Sequence, residues 1–164
     1  MKQYKISLLM VCTANICRSP MAQGLMGREL AANGLDGVVR VDSAGTHVFN
    51  PGHRPDRRAQ QVAEKSEVDI GKLKARMIAE DDFYRFDYIV AMDNANLRNL
   101  QKMCPEEYRN KLFLILDFAP QIGFNEVPDP YFGNLSGFER VLALLDLGCK
   151  GLIRHIRTQH EFHT

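Results

Sequence analysis

From Ser136 to Arg157 the chain repeats one pattern. Phe138, Val141, Leu142, Leu145, Cys149, Leu152, Ile153 and Ile156 recur at intervals of mostly three or four residues. That spacing puts them on one face of a long α-helix. Gly148 and Gly151 fall inside it and are expected to weaken it locally. Beyond it, the tail from His160 to Thr164 carries no periodic anchor and is expected to fray. Near the other end, residues 4–11 (Tyr-Lys-Ile-Ser-Leu-Leu-Met-Val) are mostly apolar without strict alternation. Such a run predicts a central strand buried on both faces.

The intervening pattern predicts more of the same alternation. Met21 to Ala32 carries Ala22, Leu25, Met26 and Leu30 at helical spacing, with Ser19 as N-cap, Pro20 at the first helical position and Asn33-Gly34 as the stop. Val38 to Ser43 sets Val39 and Val41 against Arg40 and Asp42, a second strand. Arg57 to Lys65 predicts a polar helix anchored by Val62 and Ala63. Asp81, Asp82, Phe83 and Phe86 lead into a third strand, Tyr88 to Met92, and Asp93 is the predicted N-cap of a helix through Leu97, Leu100 and Cys104 that ends near Pro105. Leu112 to Leu116 is the fourth strand. Pro and Gly mark two long irregular stretches, Ala44 to Asp56 and Ala119 to Asn134.

Four strands alternating with helices predict an α/β fold, a parallel sheet covered on both faces in three layers, α/β/α. Right-handed crossovers then bring the loops beginning at Cys12, Ala44 and Asp93 to one edge of the sheet, and the loop after Leu116 should join them. A length of 164 residues suits one domain, 1–164. The formal net charge of +1 gives no global field for nucleic acid or an anionic membrane, so neither is expected as a partner. No apolar run approaches the ~18 residues of a membrane span. The cysteines, Cys12, Cys17, Cys104 and Cys149, form no CxxC pair and no zinc-finger spacing. Reduced thiols in the cytoplasm are expected. His47, His53, His155, His160 and His163 are scattered. They are read as surface residues, with no metal set and no cofactor expected.

The chemistry concentrates in Cys12-Thr13-Ala14-Asn15-Ile16-Cys17-Arg18-Ser19-Pro20. A tight loop between a strand and a helix aims backbone N–H groups and a helix N-terminus at whatever it holds, which makes an anion site. Cys-x5-Arg adds a thiol beneath the anion and a guanidinium able to give two parallel charge-assisted bonds. The helix end and Arg18 favour the thiolate, the nucleophilic form. Ser19 can donate its hydroxyl to that thiolate, and Asn15 tolerates φ > 0. The alternative reading is a buried cysteine ending a strand beside a surface arginine. Phe49, in the loop after the second strand, is either an anchor packed on the core or a wall beside the ligand.

Val11, Cys12, Asn15, Cys17, Arg18, Ser19 and Pro20 match the V-C-x-x-N-x-C-R-S-P loop of the low-molecular-weight protein-tyrosine phosphatases, which this sequence resembles over nearly its whole length. Asp129-Pro130-Tyr131 matches their acid loop, and Asp42-Ser43-Ala44-Gly45 their D-S-A-G segment. Ala75, Arg76, Phe86 to Ile89, Met92, Asp93, Asn96 and Leu97 match a third stretch. The resemblance implies a flavodoxin-like, doubly wound sheet of order 2-1-3-4. It implies hydrolysis of phosphotyrosine through a phosphocysteine on Cys12, with Arg18 and the loop (Thr13, Ala14, Asn15, Ile16, Cys17, Ser19) holding the phosphoryl oxygens. Asp129 would act as general acid and then base, although by itself it reads as a turn residue between two prolines. Tyr131, Phe132 and Phe49 would form an aromatic slot, with Ser43 and Asp93 supporting. Cys17 would pair reversibly with Cys12 under peroxide, or simply pack at the helix start. Many relatives brace Asn15 through a histidine before a Gly-Ile pair, where this chain has Glu67-Val68-Asp69-Ile70. The expected partners are a phosphotyrosine-containing protein, with inorganic phosphate or other oxyanions as competitive ligands, and a monomer or weak dimer is expected.

Two other activities use the same fold. Arsenate reduction needs a relay of further thiols, but Cys104 and Cys149 lie on separate predicted helices. Phosphoarginine phosphatases tend to carry threonine where Ile16 stands, and Ile16 suits an aryl ring better than a guanidinium. A phosphate-binding module without catalysis is the remaining alternative.

Overall fold

The structure is a computed structural model that describes residues 3–162; His163 and Thr164, the end of the expected frayed tail, lie outside the described residues. Strand β1 (Ile6–Cys12) is buried along its whole length. Leu8 and Met10 join one core cluster and Leu9 and Val11 the other. Both faces of the strand are therefore covered, which is why its sequence does not alternate. With β2 (Val39–Gly45), β3 (Tyr88–Ala91) and β4 (Leu112–Leu114) it forms a four-stranded sheet of order β2-β1-β3-β4. Every pairing is parallel. The expected doubly wound α/β/α architecture and strand order are what the chain adopts.

The apolar residues of α1 (Arg18–Ala32), α2 (Arg57–Lys65) and α5 (Leu135–Gln159) build the first cluster, and those of α3 (Glu80–Arg85) and α4 (Asn94–Met103) the second. All eight residues of the stripe that opens at Phe138 are buried. Fully burying a side chain of this size contributes about 1.5–3 kcal/mol. Helix α2 has the predicted bounds, and Asp93 caps α4, accepting from Asn96 N–H at 2.8 Å.

Several expectations are corrected. Helix α1 starts at Arg18 with Cys17 as N-cap and no side-chain cap; Ser19 lies inside the first turn, its hydroxyl committed elsewhere. Helix α3 forms where only a lead-in to β3 was read; at six residues it is too short to show a period. Strand β4 stops at Leu114, and Ile115–Phe118 turns into a 3-10 helix. The helical glycines are contact points rather than weak points. A Cβ at Gly151 would stand 1.8 Å from the Phe118 carbonyl oxygen, and one at Gly148 would stand 2.7 Å from Ile115 Cγ1. Their absence lets the 3-10 segment lie directly on an unbroken α5. The tail is docked as far as Phe162: His160 Nε2 sits 2.9 Å from Tyr88 Oη, and Phe162 packs on the core. His155 is no simple surface residue either, since it packs edge-on to Tyr88 and tilted against Phe118. No helix among the described residues is long and apolar enough to cross a membrane.

Candidate active site

The loop between β1 and α1 takes its shape from Asn15. Its φ is 58°, left-handed, where asparagine is among the few residues with a side chain that fit. Every polar atom of that side chain is used. The amide nitrogen donates to Ser19 Oγ at 2.7 Å and to Ser43 Oγ at 3.1 Å, and Oδ1 accepts from the Arg76 backbone N–H at 3.0 Å. Ser43 in turn donates to Gln23 Oε1 at 2.6 Å. Asn15 is thus braced without a histidine. Gly45 allows the close fit: a Cβ there would stand 2.6 Å from the Thr13 carbonyl oxygen and 3.0 Å from Asn15 N.

Asn15 already donates to Ser19 Oγ, so the serine proton is directed elsewhere. Cys12 Sγ lies 3.0 Å away, against 3.5 Å for the Ala44 carbonyl oxygen. The N–H groups of residues 14–17 donate to no protein acceptor among the described residues, and the first N–H groups of α1 have no intrahelical partner. These free donors belong to the loop that borders the cleft with Cys12, at the N-terminus of α1, the arrangement that favours an anion.

Arg18 is 2% exposed, so the surface-residue reading fails. Its Nη1 donates to Asp93 Oδ2 at 2.6 Å and to the Val127 carbonyl at 3.0 Å; its Nη2 reaches Thr13 Oγ1 at 3.5 Å. Burial works against the cation, but attraction to Cys12, the hydrogen bond to Asp93 and the charges of Asp93 and Asp129 outweigh it and raise the guanidinium above its ordinary value. Asp129 Oδ2 lies 3.6 Å from Arg18 Nη2, and the carboxylate is 48% exposed. Its Oδ1 accepts from Tyr131 N–H at 3.1 Å. Asp129 is both the turn residue and a carboxylate facing the arginine.

Cys12, Thr13, Ala14, Ile16, Cys17, Arg18, Phe49, Asp129, Tyr131 and Phe132 all border one cleft of about 620 Å³. Asn15, Ser19, Ser43 and Asp93 stand behind it as supports. Phe49 is 79% exposed and borders the cleft, so it is not an anchor packed on the core. Phe132, 95% exposed, meets Tyr131 edge to face with ring centroids 4.9 Å apart. Cys17 is a free thiol beside Cys12, and burial, then the charge of Asp56, push its pKa up. Cys104 and Cys149 are buried and border no part of the cleft.

The family model for low molecular weight phosphotyrosine protein phosphatases matches residues 7–161. The chain belongs to this family. A putative low molecular weight protein-tyrosine-phosphatase of Synechocystis sp. is 40% identical over 149 residues, covering 90% of this chain and 94% of that protein. The low molecular weight protein-tyrosine-phosphatase YfkJ of Bacillus subtilis is 37% identical over 158 residues, covering 95% and 99%. Among solved structures, a protein tyrosine phosphatase from Entamoeba histolytica with Hepes in the active site matches with a TM-score of 0.91 at 38% identity, covering 94% of this chain and 98% of that one.

The phosphatase site also uses residues that sequence reasoning missed. Asp56 caps α2 through Arg58 N–H at 2.8 Å and binds the Arg58 side chain at 2.9 Å. Arg58 then donates to the carbonyls of Tyr131 at 2.9 Å and Gly133 at 3.0 Å, which fastens the acid loop to α2. Asp56 N–H also donates to the Ile16 carbonyl at 2.8 Å. Asn96 Nδ2 donates to Thr13 Oγ1 at 3.1 Å, linking α4 to the phosphatase loop. The Asp immediately before α2 is an N-cap signal visible in the sequence; the reach of Arg58 to Tyr131 and Gly133 is not.

Proposed function

We propose that residues 1–164 act as one phosphatase domain that hydrolyses phosphotyrosine in proteins through a phosphocysteine on Cys12. The observation that carries this is the meeting of Cys12 and Arg18, from one loop, with Asp129, from a distant one, in one cleft walled by Phe49, Tyr131 and Phe132. In the first step Cys12 Sγ forms a bond to phosphorus as the phosphorus–phenol oxygen bond breaks. Asp129 gives its proton to the leaving phenolate. In the second step the Asp129 carboxylate takes a proton from water, water attacks phosphorus, and the sulfur–phosphorus bond breaks to release inorganic phosphate. Arg18 and the loop amides hold the three equatorial oxygens throughout, and Ser19 donates to the sulfur as it leaves. An aryl phosphate spans the aromatic slot, whereas phosphoserine is too short to reach Cys12. Inorganic phosphate and similar oxyanions fit the same cradle as competitive ligands. The reading includes a cytoplasmic enzyme with reduced thiols, working as a monomer or weak dimer.

Ile16 presents an apolar edge to the cleft, which favours an aryl substrate over phosphoarginine. Arsenate reduction is not favoured, because Cys104 and Cys149 are buried away from the cleft. Steady-state kinetics on phosphotyrosine, phosphoarginine and phosphoserine peptides of one sequence test the reading. Phosphotyrosine should turn over fastest, Cys12→Ser should abolish turnover, and Asp129→Ala should lower kcat by about 10²–10⁴-fold. Equal rates on the three peptides would overturn the slot, and an active Cys12→Ser would overturn the covalent route.

A further inference from the structure

We propose that His53, Arg54, Lys72 and Lys74 form a docking strip for acidic residues flanking the phosphotyrosine, an inference that rests on the phosphatase reading above. Residues 50–54 and 72–75 run side by side. Gly52 N–H donates to the Ala75 carbonyl at 2.7 Å, Ala75 N–H donates to the His53 carbonyl at 2.8 Å, and the Arg54 guanidinium donates to the Lys72 carbonyl. This pairing brings four basic residues, all exposed, together on two adjacent segments. The strip begins at the cleft, because His53 and Arg54 border it together with Cys12 and Asp129.

The charge on the strip is uncompensated. Three arginines nearby are paired: Arg18 with Asp93, Arg58 with Asp56, Arg76 with Asp42 and Asp82. Arg54, Lys72 and Lys74 have no carboxylate within ion-pair distance among the described residues. With a net charge of only +1, this is a local excess. Screening over about 8 Å at physiological salt confines its pull to the first few residues beside the cleft. The occupant follows from the geometry. A cleft that takes one aryl phosphate leaves the strip in contact with whatever is covalently joined to that ring, which for phosphotyrosine is the peptide backbone and its neighbouring side chains. Glutamate or aspartate there completes the missing ion pairs.

The test uses the intact chain and three phosphotyrosine peptides identical except for glutamate, glutamine or lysine flanking the phosphorylated residue. A small aryl phosphate without a peptide serves as control. The glutamate peptide should exceed the glutamine peptide about 5- to 10-fold in kcat/KM, mainly through KM, from two or three exposed pairs. The preference should fade at about 0.5 M salt. Lys72→Glu/Lys74→Glu should abolish it while leaving the small aryl phosphate unchanged, and Lys72→Gln/Lys74→Gln should fall between. Equal kcat/KM for the three peptides overturns the strip, as does a charge-reversed variant that keeps the preference. Stronger inhibition by polyuridylate or by phosphatidylserine vesicles than by the glutamate peptide also overturns it. Failure to hydrolyse the small aryl phosphate would instead overturn the phosphatase reading.

Discussion

Replacing Asn15 probes the cradle through its most constrained residue. Asn15→Ala removes three hydrogen bonds, to Ser19, to Ser43 and from Arg76 N–H. At about 0.5–1.5 kcal/mol net per bond, their loss costs ~2–4 kcal/mol. The backbone at φ 58° adds about 1–2 kcal/mol for a residue with a Cβ and no local hydrogen bond. The sum, about 3–6 kcal/mol, is a large share of the ~5–15 kcal/mol that holds a domain folded. Asn15→Gly loses the same bonds and escapes the left-handed penalty, but its unfolded chain gains about 0.5–1 kcal/mol of conformational freedom. The glycine variant should therefore be more stable than the alanine variant by about 0.5–1 kcal/mol, and both should lose at least tenfold in kcat/KM as the loop amides lose their fixed direction. Urea unfolding in phosphate-free buffer, read beside kinetics on an aryl phosphate, measures both effects. An alanine variant within about 0.5 kcal/mol of the parent would refute the claim that these bonds hold the loop. A glycine variant less stable than alanine would refute the left-handed strain.

Hydrogen bonds from the Arg58 side chain hold the Asp56 carboxyl below the usual carboxylate range. A lowered folded value stabilises the fold above the unfolded value of about 4, and that contribution disappears as pH falls through the folded value. Asp56→Asn, which keeps a good N-cap, should lower the Tm at neutral pH, and the gap from the parent should close below about pH 4; a gap that stays constant to the acid limit would show that no charge is involved. Burial keeps Cys17 a thiol, so iodoacetamide at neutral pH should label Cys12, with protection by phosphate, and leave Cys17 untouched in peptide mass mapping; equal labelling would contradict the buried environment. Gly151→Ala drives a Cβ into the Phe118 carbonyl and should destabilise by about 1–3 kcal/mol or more, with kcat per folded molecule unchanged; calorimetry showing an unaltered Tm would mean that Phe118 moves freely.

What could be read in advance was local. The stripe on α5, the bounds of α2 and the cap at Asp93 each lie within a few residues of sequence, where period and side-chain chemistry decide the outcome. The Cys12–Arg18 loop was legible for the same reason. Helix α3 was missed because six residues carry no period, and β4 was overrun because Ile115 and Leu116 are as apolar in a 3-10 turn as in a strand. Ser19 looked like a cap because nothing nearby revealed its competing partners, Cys12 and Asn15. The bracing of Asn15 by Ser43 and by the amide of Arg76, and the grip of Arg58 on Tyr131, join residues distant in the chain. Such bonds exist only once the sheet has brought its loops to one edge.

Arg18 holds the Val127 carbonyl and the Asp93 carboxylate with one nitrogen while its other nitrogen faces Asp129. Val127 N–H is itself tied to the Met92 carbonyl at 2.9 Å, at the end of β3. Lifting the acid loop would strip a buried cation of a partner, at about 1–3 kcal/mol, and would also break its hold on the sheet. The acid loop is therefore tied to the same arginine that lines the cradle. Substrate meets a cleft in which the cradle and the acid are already joined through Arg18, so a change at Val127 or Asp93 reaches the phosphate site without touching it.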